Sequence, residues 1–162
     1  MHAAHVRHRA LQATALLLSS FLLLFLLPAR DAEAARRKKS SVTYAESERS
    51  FRYLMNVERT GGKRSRLRMN ASLVIVAREQ SEDMADSGGI FHNPDLASDL
   101  RQVSWSIAGE NVGVGSTVES LHQAFMDSAP HRKNVMRKAF KRVGVGVVTA
   151  DGRIWVTVVF AG

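Results

Sequence analysis

Three short stretches of the chain hold the residue types that do chemistry. They are Ile90-Phe91-His92-Asn93, Gly109-Glu110-Asn111-Val112-Gly113, and Ala129-Pro130-His131-Arg132 followed by Val143-Gly144-Val145-Gly146. Each puts an imidazole or a carboxylate beside a turn or a helix end. Two imidazoles and a carboxylate, dispersed in sequence, make one polar site if the elements between them fold back on each other. A glutamate between two histidines serves as general acid or base, or orients an imidazole for that work.

Each residue also has a plainer reading. His92 can cap a loop or hydrogen-bond within a core. Glu110 can lock the Gly109 to Gly115 loop by accepting backbone N–H bonds. His131 and Arg132 can cap carbonyls or a following helix, and His122, with no motif behind it, reads as a surface or half-buried histidine. Gly109, Gly113 and Gly115 match neither the dinucleotide nor the P-loop spacing, and no Lys-Ser/Thr pair follows. They read as a tight turn that brings the backbone close to a cleft. Ser128 near His131 is a poor hydrolase nucleophile, because a pair close in sequence without a third member makes no triad.

The elements that must position these residues begin after a targeting segment. Arg7 and Arg9 among His2, His5 and His8 give a basic start, Ala15 to Leu27 is an apolar run broken only by Ser19 and Ser20, and Ala32-Glu33-Ala34 supplies small residues for cleavage. This is the layout of a secretory signal peptide over residues 1–34, and the protein is expected to be secreted or extracytoplasmic. The run is short for a membrane span, with an uncut signal anchor as the alternative. A basic linker over residues 35–42 and one domain over residues 43–162 complete the organisation. The chain has no cysteine, so disulfides and thiolate metal sites are excluded.

The formal net charge is +8. It is concentrated in Arg36-Arg37-Lys38-Lys39, in Lys63-Arg64-Ser65-Arg66-Leu67-Arg68, and in Arg132-Lys133 with Arg137, Lys138, Lys141 and Arg142. No nucleic-acid motif accompanies it and the clusters hold few aromatics, so nucleic acid is not an expected partner. Anionic lipid, a glycan, an acidic envelope polymer or a protein partner is expected instead, against the simpler reading of a solvated basic face.

Periodicity predicts a first helix from Tyr44 to Arg59, with Phe51, Leu54, Met55 and the Arg59 stem inward and Thr60-Gly61-Gly62 as its stop. Asn70 caps a second helix to about Ser87, with Leu73, Ala77, Gln80, Ser81 and Met84 on one stripe and Gly88-Gly89 at its end. A capping box from Ser116 to Glu119 predicts a third, Thr117 to Ser128, with Val118, Leu121, Ala124 and Phe125 inward and Pro130 ending or redirecting it. Val143 to Thr149 and Arg153 to Phe160, joined at Ala150-Asp151-Gly152, read as a closing β-hairpin. A further strand is expected around Val103 to Ile107. Together these make an α+β or layered α/β/α domain.

In order and spacing, these pieces resemble the CAP superfamily, the sperm-coating-protein-like (SCP) domains that include cysteine-rich secretory proteins, antigen 5 and plant pathogenesis-related 1 proteins. The resemblance runs from about Phe51 to Phe160. It rests on Leu-Met-Asn-Val-Glu-Arg at 54–59, Leu73, Ala77, Ser81 and Met84 before His92, Gly109-Glu110-Asn111, Ser128 to Val135, and the Gly-Val-Gly strand. The cysteine-free form looks like the bacterial branch. The resemblance implies a three-layer α/β/α sandwich with a C-terminal β-hairpin, and a cleft lined by His92, Glu110 and His131, with Asn111 and Arg132 in the same motifs. Two neutral imidazoles and a carboxylate are also the three N/O ligands of an open site for Zn2+ or another divalent cation. Fuller family patterns add a glutamate one turn after a tryptophan. Here Phe125 and Ser128 stand near those places, Asp127 and Glu119 are the nearest acids, and Ala-Pro precedes His131 where Pro-Gly is more usual. The family's tetrad becomes a triad.

Three functional classes follow: a secreted binding module at the cell envelope, a metal- or Glu110-assisted hydrolase of cell-wall or peptide material, and a structural envelope protein whose polar trio only locks loops. The first is preferred, because the resemblance is to a fold used widely outside the cell without one agreed chemistry.

Overall fold

The computed structural model of the chain describes residues 46–162. The signal segment, the basic linker and the start of the domain fall outside the described residues. Residues 46–61 form helix α1, which stops at Gly62 as its glycines predict. Strand β1 is Arg68–Met69, and helix α2 is Ala71–Ser87. The Asn70 side chain caps α2 by accepting from the Leu73 N–H at 3.1 Å, and Gly88 ends it in the left-handed region. A short helix α3, Leu96–Asp99, runs into a 3-10 turn at Leu100–Gln102. Strand β2 is Ala108–Gly115, helix α4 is Val118–Asp127, helix α5 is Ala129–Val135, and strands β3 and β4 are Arg142–Ala150 and Arg153–Ala161. No helix among the described residues is long and apolar enough to cross a membrane.

The sheet has four strands in the order β1-β3-β4-β2, with β1 parallel to β3 and the other pairs antiparallel. Asp151 and Gly152 close the β3–β4 hairpin with φ of 50° and 71°, the double positive φ that a two-residue turn needs to match strand twist. Helix α2 covers one face, where Leu73, Val76 and Ala77 pack with Val159 and Ala161, and Met84 packs with Val112 and Trp155. On the other face α1, α4 and α5 bring Phe51, Met55, Leu121, Phe125 and Val135 onto Val143, Val145, Val147, Val156, Val158 and Phe160. The result is the expected three-layer α/β/α arrangement.

Glycines set the spacing of the first layer. A Cβ on Gly144 would overlap the Leu73 carbonyl group, and one on Gly146 the Ala77 carbonyl group, so the α2 backbone rests directly on β3. The Ser81 hydroxyl fixes its register by bonding the Gly146 carbonyl at 3.1 Å and the Thr157 hydroxyl at 3.0 Å. Elsewhere a buried cation does the joining. Arg59, fully buried, donates to the carbonyls of Ser65 (2.8 Å), Val135 (2.6 Å), Arg137 (3.0 Å) and Phe140 (3.1 Å), tying the end of α1 to both loops that flank β1 and β3.

Several expectations are corrected. The strand expected at Val103 to Ile107 is β2, further along the chain. Val103 is instead drawn into the α2 cluster, and Ser106 and Ile107 donate to the Gly162 carbonyl. The Gly109 to Gly115 stretch is therefore strand and not a tight turn; Phe140, Phe125 and Leu121 side chains fill the room that Cβ atoms would take. The α4 cap is Thr117 paired with Ser120, not Ser116 with Glu119. The basic segment after Pro130 is helix α5, with Pro130 in its first turn, where a missing N–H is harmless. Ala124 is exposed, and His122 is 6 % exposed with its ring edge-on to Phe51 at 5.8 Å.

Gly144→Ala and Gly146→Ala are each expected to lower unfolding stability by roughly 3 kcal/mol, since the added methyl meets backbone that cannot yield. Gly61→Ala, with nothing within 4 Å of the new methyl, is expected to leave stability unchanged or raise it by about 0.5 kcal/mol. Denaturant titration of the three variants checks this, and equal effects at all three would contradict the close seat of α2.

Candidate functional site

Strand β2 lies at the sheet edge, and successive side chains on it face opposite layers. Val112 packs with Met84, so Glu110 shares the α2 face; a Cβ on Gly113 would meet Phe125 and Leu121, so Asn111 faces α4 and α5. Two adjacent residues thus address both helical layers.

On the α2 side, the left-handed turn at Gly88 sends the chain back across the sheet edge. The Gln80 side chain donates to the Phe91 carbonyl at 2.8 Å and pins the loop there. His92 then meets Glu110, with Nδ1 2.7 Å from Oε1, and the Asn93 N–H donates to the same oxygen at 3.0 Å. The carboxylate only accepts, so the proton of this bond sits on His92 Nδ1, and in the neutral form of the ring the lone pair is on Nε2. Exposure differs sharply within the pair. The Glu110 side chain is 4 % exposed and that of His92 65 %, so a sealed carboxylate holds an imidazole that faces solvent. Glu110 Oε2 is buried and has no hydrogen-bond partner among the described residues.

On the other side, the Asn111 amide donates to the His131 carbonyl at 3.0 Å. Asn134, one helical turn further along α5, donates to the Glu110 carbonyl at 3.1 Å and to Asn111 Oδ1 at 2.9 Å. These bonds fix α5 against β2 and with it the His131 ring, which lies 4.7 Å from the Phe125 ring. Burial lowers the His131 pKa, and the charge of His92 lowers it further, so the two imidazoles sense each other across the sheet edge. Burial also lowers the His122 pKa, against a weaker opposing pull from Glu58.

The structure therefore joins His92 to Glu110 and brings His131 within electrostatic reach. Asn111 is a buried link between layers. Arg132 turns away from the site, its guanidinium donating to the Met126 and Asp127 carbonyls at the end of α4. Among the described residues no three His, Asp or Glu side chains stand together as metal ligands. Glu110 Oε1 is engaged by two donors and Oε2 by none among the described residues, so Oε2 is the atom with which this carboxylate would meet a cation. Asn134 was legible only through its spacing, three residues after His131 and hence on the same helical face; Gln80 carried no signal apart from its place on the buried stripe.

The Cysteine-rich secretory protein family, CAP, matches residues 52–160. The chain is 34 % identical over 139 residues to YkwD of Bacillus subtilis (strain 168), covering 78 % of this chain and 54 % of that one. An extracellular protein containing an SCP domain from Bacillus anthracis str. Ames superposes with a TM-score of 0.67 at 26 % identity, over 76 % of this chain and 43 % of that one. An outer surface protein of Borrelia burgdorferi superposes with a TM-score of 0.66 at 16 % identity, over 72 % of this chain and 92 % of that one. The chain spans about half the length of the two Bacillus relatives.

The two depressed histidines set a pH dependence. Below about 6.5, the ordinary imidazole value, the unfolded chain binds protons at His122 and His131 that the folded chain resists. Their contribution to stability is complete above that value and is lost as the pH falls through the lowered folded values. Melting temperature is expected to drop on acidification from about pH 7.5 to about pH 5, and the drop is expected to be smaller in His122→Leu. Melts of both proteins across that range check it; parallel curves would contradict a buried neutral His122.

Proposed function

The chain belongs to the cysteine-rich secretory protein (CAP) family, and on that premise we propose that it is an extracellular binding module whose His92–Glu110 cleft takes a polar ligand of the cell envelope, a glycan by chemistry. One observation carries this reading: a solvent-facing imidazole is held by a sealed carboxylate, so that Nε2 is offered as a fixed hydrogen-bond acceptor. A sugar hydroxyl is a donor of matching strength and geometry. The extracellular SCP-domain protein of Bacillus anthracis and the outer surface protein of Borrelia burgdorferi support the placement outside the cell, as does the signal-like segment at residues 1–34.

The same pair favours a second reading. An imidazole oriented by a carboxylate is also a general base, and a hydrolase of envelope material would use it to activate water or a hydroxyl. Glu110→Gln separates the two. A glutamine oxygen still accepts from His92 Nδ1 and from the Asn93 N–H, so ring orientation survives while the negative charge that supports proton uptake is lost.

Calorimetry of the protein with soluble peptidoglycan fragments is expected to give saturable binding that Glu110→Gln keeps and that His92→Ala weakens roughly tenfold, the value of one lost hydrogen bond. Release of new reducing ends or free peptide termini by the parent, abolished in Glu110→Gln, would establish the hydrolase instead. Absence of both binding and release, with Glu110→Gln merely less stable, would leave the trio a structural lock.

A further inference from the structure

The fold gathers two basic clusters, distant in sequence, at one end of the molecule. Residues 63–68 and 137–142 carry eight Lys and Arg and no Asp or Glu. Parallel pairing of β1 with β3 sets Arg68 opposite Arg142, and the Arg68 N–H donates to the Lys141 carbonyl at 3.0 Å. Arg64 Nε donates to the Met136 carbonyl at 3.2 Å. Arg59 bonds to both segments from beneath, entirely through carbonyls. It is a buried cation that meets no carboxylate there, and it adds its charge to the patch.

Neither segment holds an acid that would offset this charge. Among the described residues none of the eight cations is in an ion pair. Lys63, Arg66, Arg68, Arg137, Lys138 and Lys141 are exposed, with the Arg137 guanidinium resting 5.5 Å from the Phe140 ring centre. Like charges held side by side repel, and an anionic partner relieves that repulsion.

We propose that this end of the molecule is a docking surface for a linear polymer of phosphate groups. Three features select that partner. The cations are strung along two adjacent segments and do not converge on a point, which suits repeated anions. Five of the eight are arginines, whose planar fork takes phosphate oxygens in pairs. The patch also lacks the exposed apolar residues with which a bilayer-binding surface inserts: Leu67 and Phe140 are buried, and the exposed large apolar residues, Tyr53, Val57, Ile75, Ile90, Phe91 and Trp105, all belong to other segments. This surface is separate from the His92–Glu110 cleft and does not depend on the function proposed for it.

The test is binding of inorganic polyphosphate to the full chain over a series of salt concentrations, beside two triple charge reversals of equal net change. One, R66E/R68E/K138E, lies in the patch; the other, R49E/R101E/R153E, lies outside it. Both keep the basic stretch at residues 36–39, which therefore cannot account for a difference between them. Circular dichroism melts confirm that both are folded. The parent is expected to bind with an affinity that falls linearly in log–log form with salt. The patch variant is expected to bind about a hundredfold more weakly and the control within about threefold of the parent. Equal loss in both variants would overturn the proposal by reducing it to net charge. So would failure of the parent to bind polyphosphate at low salt, or capture of the parent by phosphatidylglycerol vesicles in preference to polyphosphate.

Discussion

The seat of α2 on β3 is the constraint from which the candidate site follows. Because Gly144 and Gly146 present no side chain, the helix backbone sits against the strand at Leu73 and Ala77, and the Ser81 hydroxyl locks the register through Gly146 and Thr157. A helix held at that depth and rotation leaves its C-terminus at the sheet edge. The loop from Gly88 to Asn93 then reaches Glu110, with Gln80 tethering it at Phe91. A bulkier strand would lift the helix, and the 2.7 Å contact between His92 and Glu110 is too short to survive such a displacement.

The second half of the site depends on an edge strand that faces two ways. Glu110 looks to the α2 layer and Asn111 to the α5 layer, and Asn134 bonds to both residues at once. The two imidazoles therefore come from opposite layers and fall within electrostatic reach because adjacent residues of β2 hold each side. Burial lowers the His131 pKa and so favours its neutral ring, while the sealed Glu110 carboxylate holds the solvent-facing His92 ring through Nδ1. Arg59 plays the comparable part beside β1 and β3, where a single guanidinium ties together the chain segments that lead into the two strands.

Local rules carried much of this arrangement. Asn70 and Gly88 bounded α2 because capping acts within one turn, and the buried stripe of Leu73, Ala77, Gln80, Ser81 and Met84 followed from helical period alone. The β3–β4 hairpin was legible because its turn demands positive φ at Asp151 and Gly152. What local rules missed was decided by partners far along the chain. A glycine-rich β2 looks like a turn until Leu121, Phe125 and Phe140 are known to fill its surface. His122 looks like a surface residue until Phe51 is packed on it. Arg59 showed its apolar stem in the helical pattern, but its four carbonyl partners lie across loops that no periodicity describes. For the site, the resemblance named His92, Glu110 and His131; the hydrogen bond that joins the first two and the asparagine bridge behind the third came from the fold.

The central claim is that Glu110 fixes the His92 ring with its proton on Nδ1 and its lone pair on Nε2. Long-range proton–nitrogen correlation spectra of the metal-free protein, with His92 assigned by His92→Ala, read that tautomer directly. His92 is expected in the Nδ1–H form in the parent, with that preference lost in Glu110→Ala. A His92 ring carrying its proton on Nε2, or one indifferent to Glu110→Ala, would contradict it.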